Sequence, residues 1–227
     1  MKEAPKKDKQ ELIHLSYNMS GKMENILSLS TNNNYNERCA CFKNVSGSIC
    51  EKGFAEKTVE HYPGLNANTK ANLEILRSRL LTDAELQALA IEIVAALDKN
   101  GTRQFRLESF GDIANVTHAR NYIRLCSAIA RIDCSVLVAW WTKSPNYVVS
   151  AFNLEDEETR FWFKSVCNLI LSSLFIGVPF PEKARKKIES ALGMEVLVFT
   201  VEAVKPDDKR VNCGARSCLN CKRWPNA

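Results

Sequence analysis

Six of the nine cysteines in this 227-residue chain gather in two short clusters near its ends. The first is Cys39-x-Cys41-x8-Cys50, and the second is Cys213-x4-Cys218-x2-Cys221. Thiolates this close together, with Gly214 free to turn, can wrap a single ion at about 2.3 Å from zinc. Tetrahedral zinc takes four ligands, and each cluster offers three. Three thiolates plus an open position suit a catalytic metal or an iron–sulfur cluster with one free iron. Alternatively the clusters meet in space and share ligands, form two neighbouring sites, or stay as reduced thiols. The cofactor read from these residues is therefore zinc or an iron–sulfur cluster. Cys126 and Cys134 fall at positions that suit a core.

The second group with chemistry in it sits where apolar strands run out. Arg106 and Glu108 alternate with Phe105, Leu107 and Ser109, which is the period of a strand. Phe110-Gly111-Asp112 then breaks the run. A later apolar stretch ends Trp140-Trp141-Thr142-Lys143. In parallel α/β folds, working residues collect at the carboxyl ends of strands. Arg106, Glu108, Asp112 and Lys143 are accordingly the candidate catalytic residues. A charged pair on an interior face must be partnered or used. The plainer readings are a wet face for Arg106 and Glu108, turn chemistry for Asp112 and an exposed Lys143. His14, His61 and His118 show no mutual spacing of a catalytic or zinc pair, although His118 lies close enough to the Asp112 turn to reach a strand-end site. No phosphate-cradling glycine loop and no Gly-x-Ser-x-Gly elbow is present.

The elements that must position these groups read as strand–helix repeats. Leu73, Leu76 and Leu80 lie at helical spacing, with Asn68 or Thr69 as a cap. Thr82-Asp-Ala-Glu85 is a capping-box pattern, and the helix it starts should stop before Gly101. A strand is expected from Arg103 to Ser109, a helix over 117–131 and a strand from Cys134 to Trp141. A helix from Asp156 to Val166, a strand from Asn168 to Ile176, a helix from Glu182 to Leu192 and a strand from Glu195 to Val201 follow. This order implies an α/β fold with a mainly parallel sheet or partial barrel, and cysteine-rich loop segments at both ends. The expected divisions are a flexible lead-in over 1–20, an α/β domain over 21–204 that includes the first cluster, and a basic cysteine-rich tail over 205–227 packed on that domain.

Charge is placed unevenly within the overall +5. Met1–Gln10 carries four lysines against Glu3 and Asp8, and Lys205–Ala227 carries six basic residues against Asp207 and Asp208. Arg210, Arg216, Lys222 and Arg223 beside Trp224 combine charge with a stacking face, which suits nucleic acid. Solubility of exposed ends is the plainer explanation. The charged start has no apolar h-region of a signal peptide, and the longest apolar run is too short to span a bilayer, so a cytoplasmic protein is expected.

Several of these pieces, taken in order, resemble the bacteriophage gene product 88 family of phage and mobile-element proteins. They are Ser20-Gly-Lys22, Cys50-Glu-Lys-Gly53-Phe54-Ala55, Asn72, Phe105-Arg-Leu-Glu-Ser-Phe-Gly-Asp112, Trp141-Thr-Lys143 and Asn212-Cys-Gly-Ala-Arg-Ser-Cys-Leu-Asn-Cys221. The resemblance implies a phage-encoded protein working in the host cytoplasm, with a layout similar to a radical-SAM-like partial barrel. Gly53 and Trp224 stand where the family pattern has cysteines, which removes one possible ligand from each cluster. Two functions are expected from the whole. One is a metal-dependent enzyme with its cysteine-ligated centre over the strand ends. The other is a zinc-stabilised nucleic-acid-binding or host-interaction protein.

Overall fold

A computed structural model describes residues 13–17, 24–51, 59–175 and 178–199, which form a two-layer α/β fold. The sheet contains β1 (Leu15–Tyr17), β2 (Leu27–Leu29), β3 (Gln104–Leu107), β4 (Leu137–Thr142), β5 (Cys167–Ser172) and β6 (Leu197–Phe199), in that spatial order. β1 is antiparallel to β2, and every later neighbour is parallel. The helices framing it are α1 (Glu37–Ala40), α2 (Pro63–Ser78), α3 (Asp83–Lys99), α4 (Val116–Ile132), α5 (Pro145–Asn153), α6 (Glu157–Val166) and α7 (Glu182–Leu192).

Alternation along the strands decides the layering. Phe105, Leu107, Val138, Trp140, Leu169 and Leu171 are fully buried and belong to the core shared with the helices. Trp140 sits edge-on between Tyr122 of α4 and Phe163 of α6, at centroid separations of 5.4 and 6.2 Å. Arg106, Trp141 and Ile170 point to the other face and stay outside that core. Because the parallel strands follow chain order without reversal, the described residues form no switch point of the doubly wound kind.

Local chemistry sets the element ends. Thr82 Oγ1 accepts from the Glu85 amide (3.2 Å), and Glu85 Oε2 accepts from the Thr82 amide (2.8 Å), so α3 opens with the expected capping box. α7 stops at Gly193, whose φ of 62° closes the helix in the left-handed region.

The elements differ from expectation at several points. β1 and β2 have only three residues each, too few to carry a readable alternation. β1 lies inside the expected lead-in, so the folded unit begins before residue 21. Asn72 of α2 clamps this edge: its Oδ1 accepts from the His14 amide, and its Nδ2 donates to the His14 and Ser30 carbonyls at 2.9 Å each. α2 starts earlier than expected because Pro63 takes the first helical position. β4 starts at Leu137 instead of Cys134, since Asp133 Oδ1 accepts from the amide and hydroxyl of Ser135 and makes a turn there. Cys134 is therefore exposed, not core filler, whereas Cys126 and Cys167 are buried. Helix α5 follows β4 directly, where no helix was expected. No helix among the described residues is long and apolar enough to cross a membrane.

Candidate functional site

The loop that leaves β3 is built around one strained residue. Glu108 has a φ of 62°, a conformation that side-chain-bearing residues rarely adopt. Strict alternation would put Glu108 on the Arg106 face. The left-handed turn instead swings its carboxylate towards α4, where Oε1 accepts from the Tyr122 hydroxyl at 2.8 Å. Thr31, just after β2, donates from its amide to Oε2 (3.1 Å) and from its hydroxyl to either oxygen (2.9 and 3.0 Å). Burial is the main cause that pushes the carboxyl up to about 7, against the pull of these hydrogen bonds.

His118 stands behind the same carboxylate. Its Nδ1 accepts from the Ala114 amide at 3.2 Å, which leaves the proton of the neutral ring on Nε2. Nε2 lies 3.4 Å from Glu108 Oε1. Burial alone holds the imidazole down at about 3, so the ring is neutral at ordinary pH.

Asp112 is a brace. Its Oδ1 accepts from the Ile113 amide (2.9 Å) and the Thr142 hydroxyl (2.7 Å). Its Oδ2 accepts from the Lys143 amide and the Ser144 hydroxyl, both at 3.1 Å. The carboxylate thus ties the exit of β3 to the exit of β4. Its main-chain carbonyl accepts from Asn36 Nδ2 at 2.8 Å.

The polar tract over 31–36, which reads as a loop from sequence, carries the first cysteine cluster to this rim. Asn32 caps a short 3-10 turn, Asn33 Oδ1 accepts from the Cys39 thiol (3.1 Å), and Asn34 Oδ1 accepts from Lys43 Nζ (3.0 Å). The Cys50 end is anchored by the Ile49 amide, which donates to the Leu174 carbonyl beyond β5 at 2.9 Å. Cys39 is buried, Cys50 is half-buried, and Cys41 is exposed and points elsewhere.

These segments enclose a cavity of about 270 Å3 over the carboxyl ends of β3 and β4. Cys39, Cys50, Arg106, Glu108 and Lys143 line it; Asp112 lies behind its wall. The Cys39 proton serves either Asn33 or the Cys50 sulfur; where it serves Cys50, that hydrogen bond and the nearby Lys143 charge pull Cys50 down to about 7, while the same bond and burial raise Cys39. For Lys143, burial works against the charge, but Asp112, both thiols and Glu108 outweigh it and hold the ammonium above the ordinary lysine value. The Arg106 guanidinium lies over the Trp141 ring at 4.8 Å, and Trp141 meets Phe199 edge-on at 4.4 Å.

Five of the sequence-derived site residues therefore share one cavity, and Asp112 supports it. Among the described residues no group of three or more His, Cys, Asp and Glu side chains stands close enough to hold a metal ion. Cys213, Cys218 and Cys221, and the basic Arg210, Arg216, Lys222 and Arg223, lie outside the described residues. Thr31, Asn33, Asn34 and Tyr122 were not singled out as site residues. Tyr122 carried one signal: a hydroxyl on the buried side of a helix needs a partner. The chain matches no protein-family model, no curated protein and no solved structure.

Proposed function

We propose that the chain is an enzyme whose reaction centre is the cavity over the carboxyl ends of β3 and β4. One observation carries this reading. Cys39, Cys50, Arg106, Glu108 and Lys143 come from well-separated stretches of the chain and line the same 270 Å3 of space. Reactive groups gather this way at strand ends when they act on a common ligand.

In this reading Cys39 and Cys50 are two ligands of a zinc ion or iron–sulfur centre, and two of Cys213, Cys218 and Cys221 supply the others. Two thiolates are half of a tetrahedral sulfur site, and sulfur donors suit both metals. Lys143 beside them favours the ligating thiolate form. When bound, such a centre supplies Lewis acidity or one-electron chemistry. Arg106 and Lys143 hold substrate, and Glu108, with its carboxyl near neutrality, takes up or gives a proton. Thr31, Tyr122 and His118 position that carboxyl.

The test is anaerobic purification of the full chain and of a Cys39→Ser/Cys50→Ser variant, followed by metal and sulfide analysis and visible absorbance. Bound zinc or iron that falls away in the variant supports the reading. A chain without metal, or a variant that keeps all of it, removes the metal from the proposal.

A further inference from the structure

We propose that Cys39 and Cys50 are a redox-active dithiol, closed to an intramolecular disulfide by exchange with a low-molecular-weight disulfide. The pairing needs no metal, so it goes beyond the centre described above and is tested independently of it. The chain itself carries the two sulfurs to one place. After Cys39 it folds through successive turns: the Phe42 amide donates to the Cys39 carbonyl, Val45 to Phe42 and Ser48 to Val45, at 3.1, 3.2 and 3.1 Å. Ser48 Oγ draws this loop together by donating to the Phe42 carbonyl at 2.6 Å, and Gly47 turns it with a φ of 77°. Both thiols then line the cavity, and the Cys39 thiol is within reach of the Cys50 sulfur as a hydrogen-bond donor. Asn33 Oδ1, the other acceptor of that proton, keeps the Cys39 sulfur at this rim.

Among the described residues no other cysteine pair combines contact with access. Cys126 and Cys167 also interact, but both are sealed in the helix-side core. Cys41 and Cys134 are exposed, and Cys134 precedes β4, at the end of the strand opposite the cavity. Burial sets the order of events between Cys39 and Cys50. The half-buried Cys50 is the sulfur that a small disulfide can reach. Its thiolate attacks one sulfur of that disulfide, so a mixed disulfide forms at Cys50, the original sulfur–sulfur bond breaks, and one small thiolate leaves. The buried Cys39 sulfur then attacks Cys50. The bond between Cys39 and Cys50 forms, the second small thiolate leaves, and the two departing thiolates take up the two protons that the cysteines gave up. In sum the two protein thiols lose two electrons, and the small disulfide is reduced to two thiols.

The experiment purifies the full-length chain without oxygen, records its metal content, treats it with chelator and exposes it to glutathione disulfide. Remaining thiols are blocked with iodoacetamide before trypsin digestion and peptide mass analysis. Trypsin cuts after Arg38, Lys43 and Lys52, so Cys39 and Cys41 share one peptide and Cys50 lies on the next. A linked pair lighter by two hydrogens than the separate peptides is expected, with the blocking group on Cys41. In the folded chain the Cys39–Cys50 link should exceed the Cys41–Cys50 link by about tenfold or more, and dithiothreitol should reverse it. In urea the fold no longer chooses, and that preference should disappear. Cys39→Ser should trap the mixed disulfide at Cys50, and Cys50→Ser should slow glutathione capture at Cys39 by about tenfold. Circular dichroism shows that each variant is folded, and Cys41→Ser should keep the link. No linked pair, a link that uses Cys41, or a mixed disulfide that persists at Cys50 in the parent would overturn the proposal. Bound metal in a chain that forms no link after chelation overturns the dithiol and leaves the centre standing. A Cys39–Cys50 link in a chain purified without metal supports the dithiol and removes the metal alone.

Discussion

His118 Nε2 stands 3.4 Å from Glu108 Oε1, and both side chains are sealed from solvent. Burial opposes charge on either group, so the pair does not settle as an ordinary ion pair. The ring stays neutral, and the carboxyl titrates near neutrality at the edge of the cavity.

That pair gives stability an uncommon dependence on pH. Glu108 is raised from 4.5 to about 7 on folding, so its contribution is fully present below 4.5 and is lost as pH rises through 7. The shift corresponds to about 3 kcal/mol. His118 is lowered from 6.5 to about 3, so its contribution is present above 6.5 and is lost as pH falls towards 3. Glu108→Gln removes the first dependence and keeps the second. Urea unfolding should show the variant gaining about 3 kcal/mol on the parent between pH 4.5 and 8. A constant difference across that range would refute the assignment.

Gly111 has no room for a side chain. A Cβ there would press on Glu108 Oε2 and Thr31 Oγ1 and come within 2.6 Å of the Thr31 carbonyl oxygen. Gly111→Ala should cost on the order of 2–3 kcal/mol in urea unfolding. It should also disturb the Glu108 titration, because the loop must move off the carboxylate to fit the methyl group. A variant as stable as the parent would show the loop to be loose.

Asp112→Asn is the amide that cannot be accommodated. One carboxylate oxygen faces the Ile113 amide and the other faces the Lys143 amide. Whichever oxygen becomes NH2, a donor meets a main-chain donor that cannot rotate away. Thermal and urea unfolding should show a loss on the order of 2–3 kcal/mol. Stability within about 0.5 kcal/mol of the parent would mean that the brace is dispensable.

Cys50 should be the reactive thiol of the first cluster. In chelator-treated protein, iodoacetamide labelling followed by peptide mass analysis should give a midpoint near pH 7 at Cys50. Lys143→Met should move that midpoint upward by removing the nearby positive charge. Labelling of Cys39 ahead of Cys50 would reverse the order of the two thiols.

Much of the frame was legible because it depends on local chemistry. Thr82 and Glu85 cap α3 through contacts three residues apart, and the near-continuous apolar run through Trp140 reads as a strand covered on both faces; the strand is there, with Val138 and Trp140 in the helix-side core and Trp141 outside it. The convergence of Arg106, Glu108 and Lys143 followed from where strands end. Other features depend on contacts that spacing cannot carry. The left-handed turn at Glu108 departs from the direction that alternation assigns, and the carboxylate it redirects is held by Thr31, 77 residues away in the chain. β1 is held by Asn72, 58 residues from its partner at His14. The run of asparagines looked like featureless loop, yet successive side chains cap a turn, accept from Cys39 and accept from Lys43.

The monotonic order of the sheet separates two burdens. One surface of the strands is committed to the helices and tolerates little change, as the sealed ring of Trp140 illustrates. The opposite surface carries Arg106 and Trp141, which lie outside the core shared with the helices. Substitutions at Arg106 or Trp141 therefore reshape the cavity wall without entering the packing around Trp140.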